Sequence, residues 1–215
     1  MSTAITSFKT HILPDIPGVP DPMLESEIIK TISEFCTKAW VLKKTMYFEV
    51  TSSNIDDTNN DAVDIDISST GLTPVSVVYL NIDNTKYDVE RRDFQNDLTN
   101  YSYIRVDDVK YFDFPDLDTV RMFDMTTSDL ILQIVYKPKL TATTVPDKIY
   151  NEWVDVIAAG VKYRLCKMPN KLWSDSKAAQ TYYIDWRRGL SEAKAQVNRG
   201  FAANSNVVQP REFGY

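Results

Sequence analysis

Histidine and cysteine are scarce in this chain of 215 residues. It has one histidine, His11, and two cysteines, Cys36 and Cys166, which are far apart in the sequence. Histidine is the commonest general base and metal ligand, so a histidine-dependent enzyme is nearly excluded and we expect no metal centre. The cysteine spacing fits neither a metal site nor a small disulfide framework, which indicates two reduced, buried thiols.

Glycine and long apolar runs are also scarce. The chain has six glycines and no phosphate-loop, GxGxxG or GxSxG sequence, so we expect no nucleotide site and no cofactor. The longest apolar stretches, such as residues 75–80 and 154–161, are far shorter than the roughly 18 residues of a membrane span. The first residues, MSTAITSFKTHILPD, lack the features of a secretory signal. We therefore expect a chain that folds in a cytoplasm and does not bind membranes.

Charge is distributed unevenly along the chain. The net charge is −6, and residues 45–140 carry 18 acidic and eight basic side chains. Residues 141–215 carry seven acidic and eleven basic ones. Since sequence-independent DNA affinity comes from Lys and Arg side chains that neutralise phosphates, we expect no tight binding to DNA.

The N-terminal region predicts an arm followed by a helix. Residues 1–21 are rich in proline, which favours an extended, turn-rich segment over a helix or a paired strand. Apolar side chains then recur at spacings of three and four over residues 22–42, as in an amphipathic helix. Asp21 suits the N-cap of this helix and Pro22 its first position.

Helical spacing returns near the C-terminus. Residues 146–168 form a second helical stripe, and a third helix is predicted from Ser174 or Asp175 to residue 199, with Gly200 as its C-terminal cap. Gly160 and Gly189 lie inside these helices. Each glycine costs about 1 kcal/mol relative to alanine, which indicates a close approach of neighbouring helices.

Between the helices the apolar period changes to two. Val63, Ile65 and Ile67 alternate with polar residues, which predicts a strand with one solvent-facing side. Further strands are predicted at residues 46–51, 74–82, 103–112, 119–123 and 130–137. Six short strands at this spacing indicate an antiparallel sheet, a sandwich or a small barrel.

These elements together predict an α+β fold. Residues 22–44 and 146–200 would form one helical bundle from both ends of the chain. Residues 45–145 would form an inserted β domain that projects from the bundle as a semi-independent lobe. Residues 201–215 show no period and are expected to form an extended tail.

The acidic residues 57–64 contain one candidate metal site. They offer oxygen ligands at the first, third and fifth positions of a calcium loop, Asp57, Asn59 and Asp61. The required glycine is replaced by Ala62 and the bidentate glutamate by Ser68. A solvated loop and strand face therefore fits this segment better than a calcium site.

Two further features have alternative interpretations. His11 has no positioned partner in the sequence, so it is expected to be an exposed residue of the arm. Tyr182, Tyr183 and Trp186 could stack on nucleic-acid bases, but their spacing favours helix packing.

The C-terminal segment contains apolar and aromatic anchors around Arg211. It is too short for a core of its own, and an extended peptide of this composition commonly gains stability by docking on a partner. A disordered terminus is the alternative. The anchors are Val207, Val208, Pro210, Phe213 and Tyr215.

Three stretches carry sequence patterns that occur together in one family. The first is LPDIPGVPDPMLESEIIKTISEFCTKAWV, residues 13–41, in which a PGxPDP turn leads into a helix with EFC and a tryptophan. The second is LILQIVYKPKLTATTVPDKIYNEWVDVIAAGVKYRLCKMPNKLWSD, residues 130–175, with a final strand, a KP…T…VPD crossing, an IAAG…RL helix and a P…WSD entry to the last helix. The third is QPREFG, residues 209–214. Together they resemble the head-to-tail connector proteins of tailed bacteriophages, whereas the central β segment shows only a general pattern.

The resemblance implies a structural adaptor without enzymatic activity. A homo-oligomeric ring of about a dozen copies, expected to be a dodecamer, would contact the portal protein above and tail or nozzle proteins below. DNA would pass through the lumen during ejection without specific binding. The protein would assemble in the host cytoplasm and reside in the neck of the virion.

The resemblance also implies roles for particular residues. The helices would build the ring wall, with packing residues Trp153, Gly160, Tyr182, Trp186 and Gly189. The tail would dock on the portal or on a neighbouring subunit, and the candidate docking residues are Gln209, Pro210, Arg211, Phe213 and Tyr215.

Three alternatives remain open at this stage. A tail-completion or terminator protein would cap the tail tube instead of binding the portal. A carbohydrate- or receptor-binding virion module would use Tyr79, Tyr87, Tyr101 and Tyr103, provided that these rings are exposed. A metal-dependent hydrolase would use the acidic loop at residues 57–64.

Overall fold

The computed structural model describes residues 1–56, 61–91 and 109–198. Residues 57–60 of the acidic stretch, the first part of the strand predicted at 103–112, and the tail at 201–215 lie outside the described residues, as do Tyr101, Tyr103 and Gly200. The described elements, in chain order, are β1 (Ser2–Ala4), a 3₁₀-helix (Ile5–His11), α1 (Asp21–Ala39), β2 (Lys43–Val50), β3 (Ile55–Asp56), β4 (Ala62–Asp66), β5 (Leu72–Ile82), β6 (Thr85–Arg91), β7 (Val109–Asp113), β8 (Thr119–Met122), β9 (Ser128–Pro138), β10 (Thr144–Pro146), α2 (Asp147–Cys166) and α3 (Ser176–Asn198). The fold is mixed α+β, as predicted.

Eight of the described strands form one barrel-like sheet. Their order is β2-β9-β5-β6-β7-β8-β4-β3, and β1 and β10 form a separate two-stranded sheet. The described pairings are antiparallel except that of β6 with β7, which is parallel. The prediction of a wholly antiparallel sheet is therefore wrong at this pair.

The alternation predicted around residue 65 is confirmed. Val63, Ile65 and Ile67 are buried, whereas Asp64 and Asp66 are exposed. Because successive side chains of a strand point to opposite faces, this segment places its apolar residues in the interior of the barrel.

β6 follows β5 through a two-residue turn that the sequence prediction missed. Asp83 and Asn84 have φ values of 48° and 67°, and Ile82 pairs with Thr85. Positive φ at both central residues is typical of the type I′ turn, whose twist matches that of a β-hairpin. Asp and Asn tolerate this conformation better than most residues, and this is the sequence signal for the hairpin.

The N-terminal arm differs from the expected extended segment. β1 pairs with β10, with Ser2 opposite Pro146, and residues 5–11 form a 3₁₀-helix. The prolines begin at Pro14. The residues before it therefore keep their backbone N–H groups and can form a strand and a 3₁₀-helix. The arm is also anchored by buried apolar side chains, which are Ile5, Phe8, Ile12, Ile16 and Val19.

α1 begins one residue earlier than predicted. Its N-cap is Pro20, without a side-chain capping bond, so Asp21 is not the cap. The carboxylate of Asp21 instead lies 3.0 Å from Nζ of Lys9 in the arm, and that of Glu25 lies 2.7 Å from it. Hydrogen bonds to Glu25 and Asp21 raise the pKa of Lys9. The arm is thus bound to the first two turns of α1.

The apolar core is continuous between the helices and the sheet. One cluster of buried side chains contains Ile28 and Ile32 of α1, Leu132 of β9, Ile157 of α2 and Val120 of β8. α1 packs on β9 as well as on α2 and α3. This continuity differs from the semi-independent β lobe that was expected.

Candidate interaction surface

Phe35 occupies the meeting point of the three α-helices. Its ring centroid lies 5.6 Å from that of Trp153 in α2 and 5.7 Å from that of Trp186 in α3. All three side chains are buried. Aromatic pairs at this separation contribute beyond the area that they bury, so this cluster holds the helices in register.

Two glycines allow the helices to approach closely, as predicted. A Cβ atom on Gly160 would lie 2.6 Å from Cε3 of Trp186 and 2.7 Å from Cγ2 of Thr31. A Cβ atom on Gly189 would lie 2.6 Å from Cγ1 of Val156. These separations are shorter than van der Waals contact, so any side chain larger than hydrogen would push the helices apart.

Tyr182 lies in α3 but outside the aromatic cluster of Phe35, Trp153 and Trp186. Its side chain is partly buried, and Nζ of Lys162 lies 5.5 Å from the centre of its ring. Burial, followed by the nearby Asp15 carboxylate, raises the pKa of the Tyr182 hydroxyl. Lys162 also forms an ion pair with Asp15, so Tyr182 lies where α2, α3 and the N-terminal arm meet. The role of these helix residues in a ring wall remains a prediction.

An ion-pair network joins α1 to α2 beside the aromatic cluster. Arg164 donates hydrogen bonds to Glu34 and, at 3.4 Å, to Glu27. Lys30 binds Glu27 at 2.9 Å, and Lys38 binds Glu34. Burial alone would raise the pKa of Glu34, but the hydrogen bonds from Lys38 and Arg164 outweigh it and lower that pKa. Both carboxylates therefore already have cationic partners within the chain.

An open groove of about 910 Å³ runs along this network between the three helices. We call it the tyrosine groove. Its lining includes apolar and aromatic side chains, Tyr163, Met168, Pro169, Tyr183, Trp186 and Leu190. Its lining also includes five basic side chains, Lys38, Arg164, Lys167, Arg187 and Lys194, and two acidic ones, Glu27 and Glu34.

Four side chains form a stack within the tyrosine groove. The rings of Tyr163 and Tyr183 lie 4.9 Å apart. Lys167 Nζ lies 5.6 Å from the centre of the Tyr163 ring, and the Arg187 guanidinium lies 5.8 Å from that of Tyr183. Each cation is four residues after its tyrosine, so the two helices supply equivalent pairs. This stack was not predicted from the sequence, although the sequence shows both i,i+4 pairs.

The cations on one side of the tyrosine groove lack acidic partners. Within the part of the chain that the structure describes, Lys167, Arg187 and Lys194 form no ion pair with a carboxylate. They flank an aromatic surface that includes the exposed ring of Tyr183. Such a surface suits a partner that presents both an apolar side chain and carboxylates.

Of the candidate calcium ligands, only Asp61 lies within the described residues. The two carboxylate oxygens of Asp64 each lie 2.6 Å from the Arg121 guanidinium, in a bidentate pair across β4 and β8. Across residues 1–56, 61–91 and 109–198, no group of three or more His, Cys, Asp or Glu side chains is placed to hold a metal ion. Asp57 and Asn59 lie outside these ranges.

His11 and the thiols can be located directly. His11 is half-buried rather than fully exposed, and its Nε2 lies 3.3 Å from the Tyr150 hydroxyl, so the expectation that it lacks a partner is wrong. Cys36 and Cys166 are free and buried, as predicted. Burial raises the pKa of both thiols, which disfavours the reactive thiolate form.

Two of the four tyrosines considered for carbohydrate binding lie in the described residues, and neither is freely exposed. Tyr79 and Tyr87 are both partly buried. Lys86 Nζ lies 5.9 Å from the centre of the Tyr79 ring, and Lys110 Nζ lies 5.8 Å from that of Tyr87. Neither ring offers the open stacking face that a carbohydrate-binding module requires.

Comparisons with known proteins gave no assignment. No protein-family model matches the chain, and no curated protein sequence matches it significantly. None of the helices in the described residues combines the length and the apolar character needed to cross a membrane.

Proposed function

We propose that this chain is a structural head-to-tail adaptor of a tailed bacteriophage. In this proposal about a dozen copies form a ring between the portal and the tail, through which DNA is ejected. The chain has no catalytic role, and its partners are the portal protein, tail or nozzle proteins and other copies of itself. Its location is the neck of the virion.

The packing of two distant sequence stretches supports this proposal. Residues 13–41 and 130–175 carry the resemblance to connector proteins, and α1 from the first packs on β9 and α2 from the second. Phe35 contacts Trp153, and Glu34 binds Arg164, between these stretches. A chance likeness in two separate segments would not require them to form one structural unit.

The finer features of the adaptor belong to the same proposal. The helices α1, α2 and α3 act as a bundle that forms the wall of the ring. Each copy contacts the next through two different surfaces, because a closed ring of identical subunits is built from heterologous contacts. The tail at residues 201–215 docks on the portal or a neighbouring subunit.

Sizing by light scattering tests the proposal. The purified protein is measured alone and mixed with the portal ring of a phage that carries this sequence. We expect a protein that is monomeric when dilute and joins the portal as a closed ring. A protein lacking residues 201–215 should lose portal binding while keeping its circular dichroism spectrum and melting temperature.

Two outcomes would contradict the proposal. If the full-length protein ignores the portal but binds the tail tube, it is a tail-completion or terminator protein. If the truncated protein binds the portal with unchanged affinity, the tail is not the docking element. A chain altered at residues 201–205 alone, outside the proposed anchors, serves as the control for the truncation.

A further inference from the structure

The loop between β7 and β8 presents a feature that complements the tyrosine groove. Residues 114–118, which we call the acidic tip, read Phe-Pro-Asp-Leu-Asp. Leu117 is 60% exposed, and both flanking residues, Asp116 and Asp118, are exposed. Leu117 thus presents an apolar side chain to solvent between two carboxylates.

The acidic tip has a defined conformation. The Asp116 carboxylate accepts a hydrogen bond of 2.7 Å from the backbone N–H of Asp118. This bond lowers the pKa of Asp116. Phe114 anchors the base of the tip, with its ring 5.5 Å from that of Phe112 and 5.3 Å from the Arg91 guanidinium. A loop ordered before binding loses little conformational entropy when it docks.

We propose that the tyrosine groove of one copy receives the acidic tip of a second copy. Leu117 would lie against the apolar and aromatic lining formed by Tyr183, Trp186 and Leu190. The carboxylates of Asp116 and Asp118 would face Lys167 and Lys194, which have no acidic partner in the described chain.

Charge complementarity identifies the occupant as a second copy. The two acidic side chains of the groove, Glu27 and Glu34, are already bound by Arg164, Lys30 and Lys38. The remaining charged side chains of the lining, Lys167, Arg187 and Lys194, therefore make the groove positively charged. No residue of the acidic tip lines the groove of its own chain. The contact therefore joins two different surfaces, and it repeats from copy to copy in the head-to-tail manner that a ring requires.

The inference deepens the proposed function, on which it rests only for the closure of the ring. Self-association through this contact is measured without the portal. One loop in one groove buries less than a standard protein interface, so we expect a dissociation constant on the order of 0.1–1 mM. Salt should weaken the contact because its charges lie at the surface.

Sedimentation velocity on two complementary variants tests the contact. The groove variant carries Lys167→Glu and Lys194→Glu, and the tip variant carries Asp116→Asn and Asp118→Asn, so that the altered tip has no charge to pair with the altered groove. Asparagine at position 116 keeps the acceptor for the N–H of residue 118. Each variant alone should self-associate at least about tenfold more weakly than the unaltered protein.

A mixture of the two variants distinguishes this contact from other modes of association. The groove variant retains an intact tip and the tip variant an intact groove, so a mixture can form one contact per pair. We expect dimers in the mixture but no larger species, whereas the unaltered protein forms a series of larger oligomers. A variant with Lys171→Glu and Lys177→Glu, two exposed lysines outside the groove, is the charge-matched control and should associate normally.

Several results would overturn the inference. These are an unaltered protein that stays monomeric at about 1 mM, variants that associate like the control, or mixtures that form large oligomers. Binding of single-stranded DNA that the groove variant alone loses, with self-association unchanged, would assign the groove to nucleic acid.

If the portal binds both variants as closed rings, the contact is wrong but the adaptor function stands. If the portal binds no form of the protein while the tip and groove behave as expected, the adaptor function is wrong but the contact stands.

Discussion

Arg164 of α2 donates a hydrogen bond to Glu34 of α1, a residue 130 positions earlier in the chain. The pair lies beside the aromatic cluster of Phe35 and joins the helix that precedes the β region to one that follows it. Lys38 binds the same carboxylate from the next turn of α1. The contact between the two ends of the chain is therefore both apolar and ionic.

The Glu34 pair should make the stability of the protein depend on pH. The fold lowers the pKa of Glu34 below its ordinary value of 4.5. Its contribution to the free energy of unfolding is then fully present above that value and is lost as the pH falls through the lowered pKa. We expect unaltered protein to be more stable than Glu34→Gln at about pH 6, with the difference shrinking on acidification to about pH 3.

Urea denaturation at a series of pH values measures this effect. Glu152→Gln, at an exposed position of α2, is the control and should show no such convergence. A difference between Glu34→Gln and the unaltered protein that stays constant over the whole range would show that the Glu34 charge does not contribute.

Replacement of either helix glycine by alanine should destabilise the protein. Alanine favours a helix by about 1 kcal/mol over glycine, but the new methyl group at position 160 would overlap the buried Trp186 and Thr31 side chains. Overpacking of this kind typically costs about 1–3 kcal/mol. We expect a net loss for Gly160→Ala and Gly189→Ala in chemical denaturation, whereas the exposed control Gln180→Ala should be neutral or stabilising. A rise in stability at position 160 would show that the helices are not in tight contact there.

The ends of the helices could be predicted from the sequence where side chains mark them. The third helix was placed from Ser174 or Asp175, and Asp175 accepts hydrogen bonds from the backbone N–H groups of Lys177 and Ala178 at the start of α3. The first helix was predicted to reach residue 42 but ends at Ala39, because Trp40 adopts a left-handed conformation with φ of 57°. Val41 and Leu42 are buried and continue the apolar pattern, so periodicity could not mark this end.

Contacts between distant segments were beyond the reach of periodicity. The parallel pairing of β6 with β7 depends on the path of the chain between them, which local patterns do not determine. The tyrosine groove likewise depends on how α2 and α3 cross. The pairs Tyr163–Lys167 and Tyr183–Arg187 could be read from their spacing, but not the 4.9 Å separation of the two rings.

Tyr136 should stabilise the barrel through its hydroxyl group. This side chain is 1% exposed, and its hydroxyl donates a hydrogen bond of 3.0 Å to the carbonyl oxygen of Ile67, beyond the end of β4. Burial raises the pKa of Tyr136 to about 12, so the hydroxyl remains a donor at neutral pH. Tyr136→Phe leaves this carbonyl without its partner, and we expect a loss of about 1–3 kcal/mol in the free energy of unfolding.

The matched control for Tyr136→Phe lies on the neighbouring strand. Tyr47 of β2 is 78% exposed, and Tyr47→Phe should change the free energy of unfolding by less than about 0.5 kcal/mol. Equal effects at the two positions would mean that the bond from Tyr136 to Ile67 does not hold the strands together.

Truncation of Phe35 should cost more than any of these changes. The ring contacts Trp153 and Trp186 on two different helices, and Phe35→Ala would leave a cavity that both helices border. Such substitutions typically cost about 3–5 kcal/mol, whereas Phe35→Leu retains most of the volume and should cost considerably less.

Denaturation followed by tryptophan fluorescence gives the free energy of unfolding and reports on the surroundings of both indoles. Ile184→Ala, at a position of α3 that is 59% exposed, is the control for loss of an apolar side chain. A cost for Phe35→Ala no larger than that of Ile184→Ala would contradict the view that this ring joins the three helices, because removal of a shared packing centre must weaken every contact built on it.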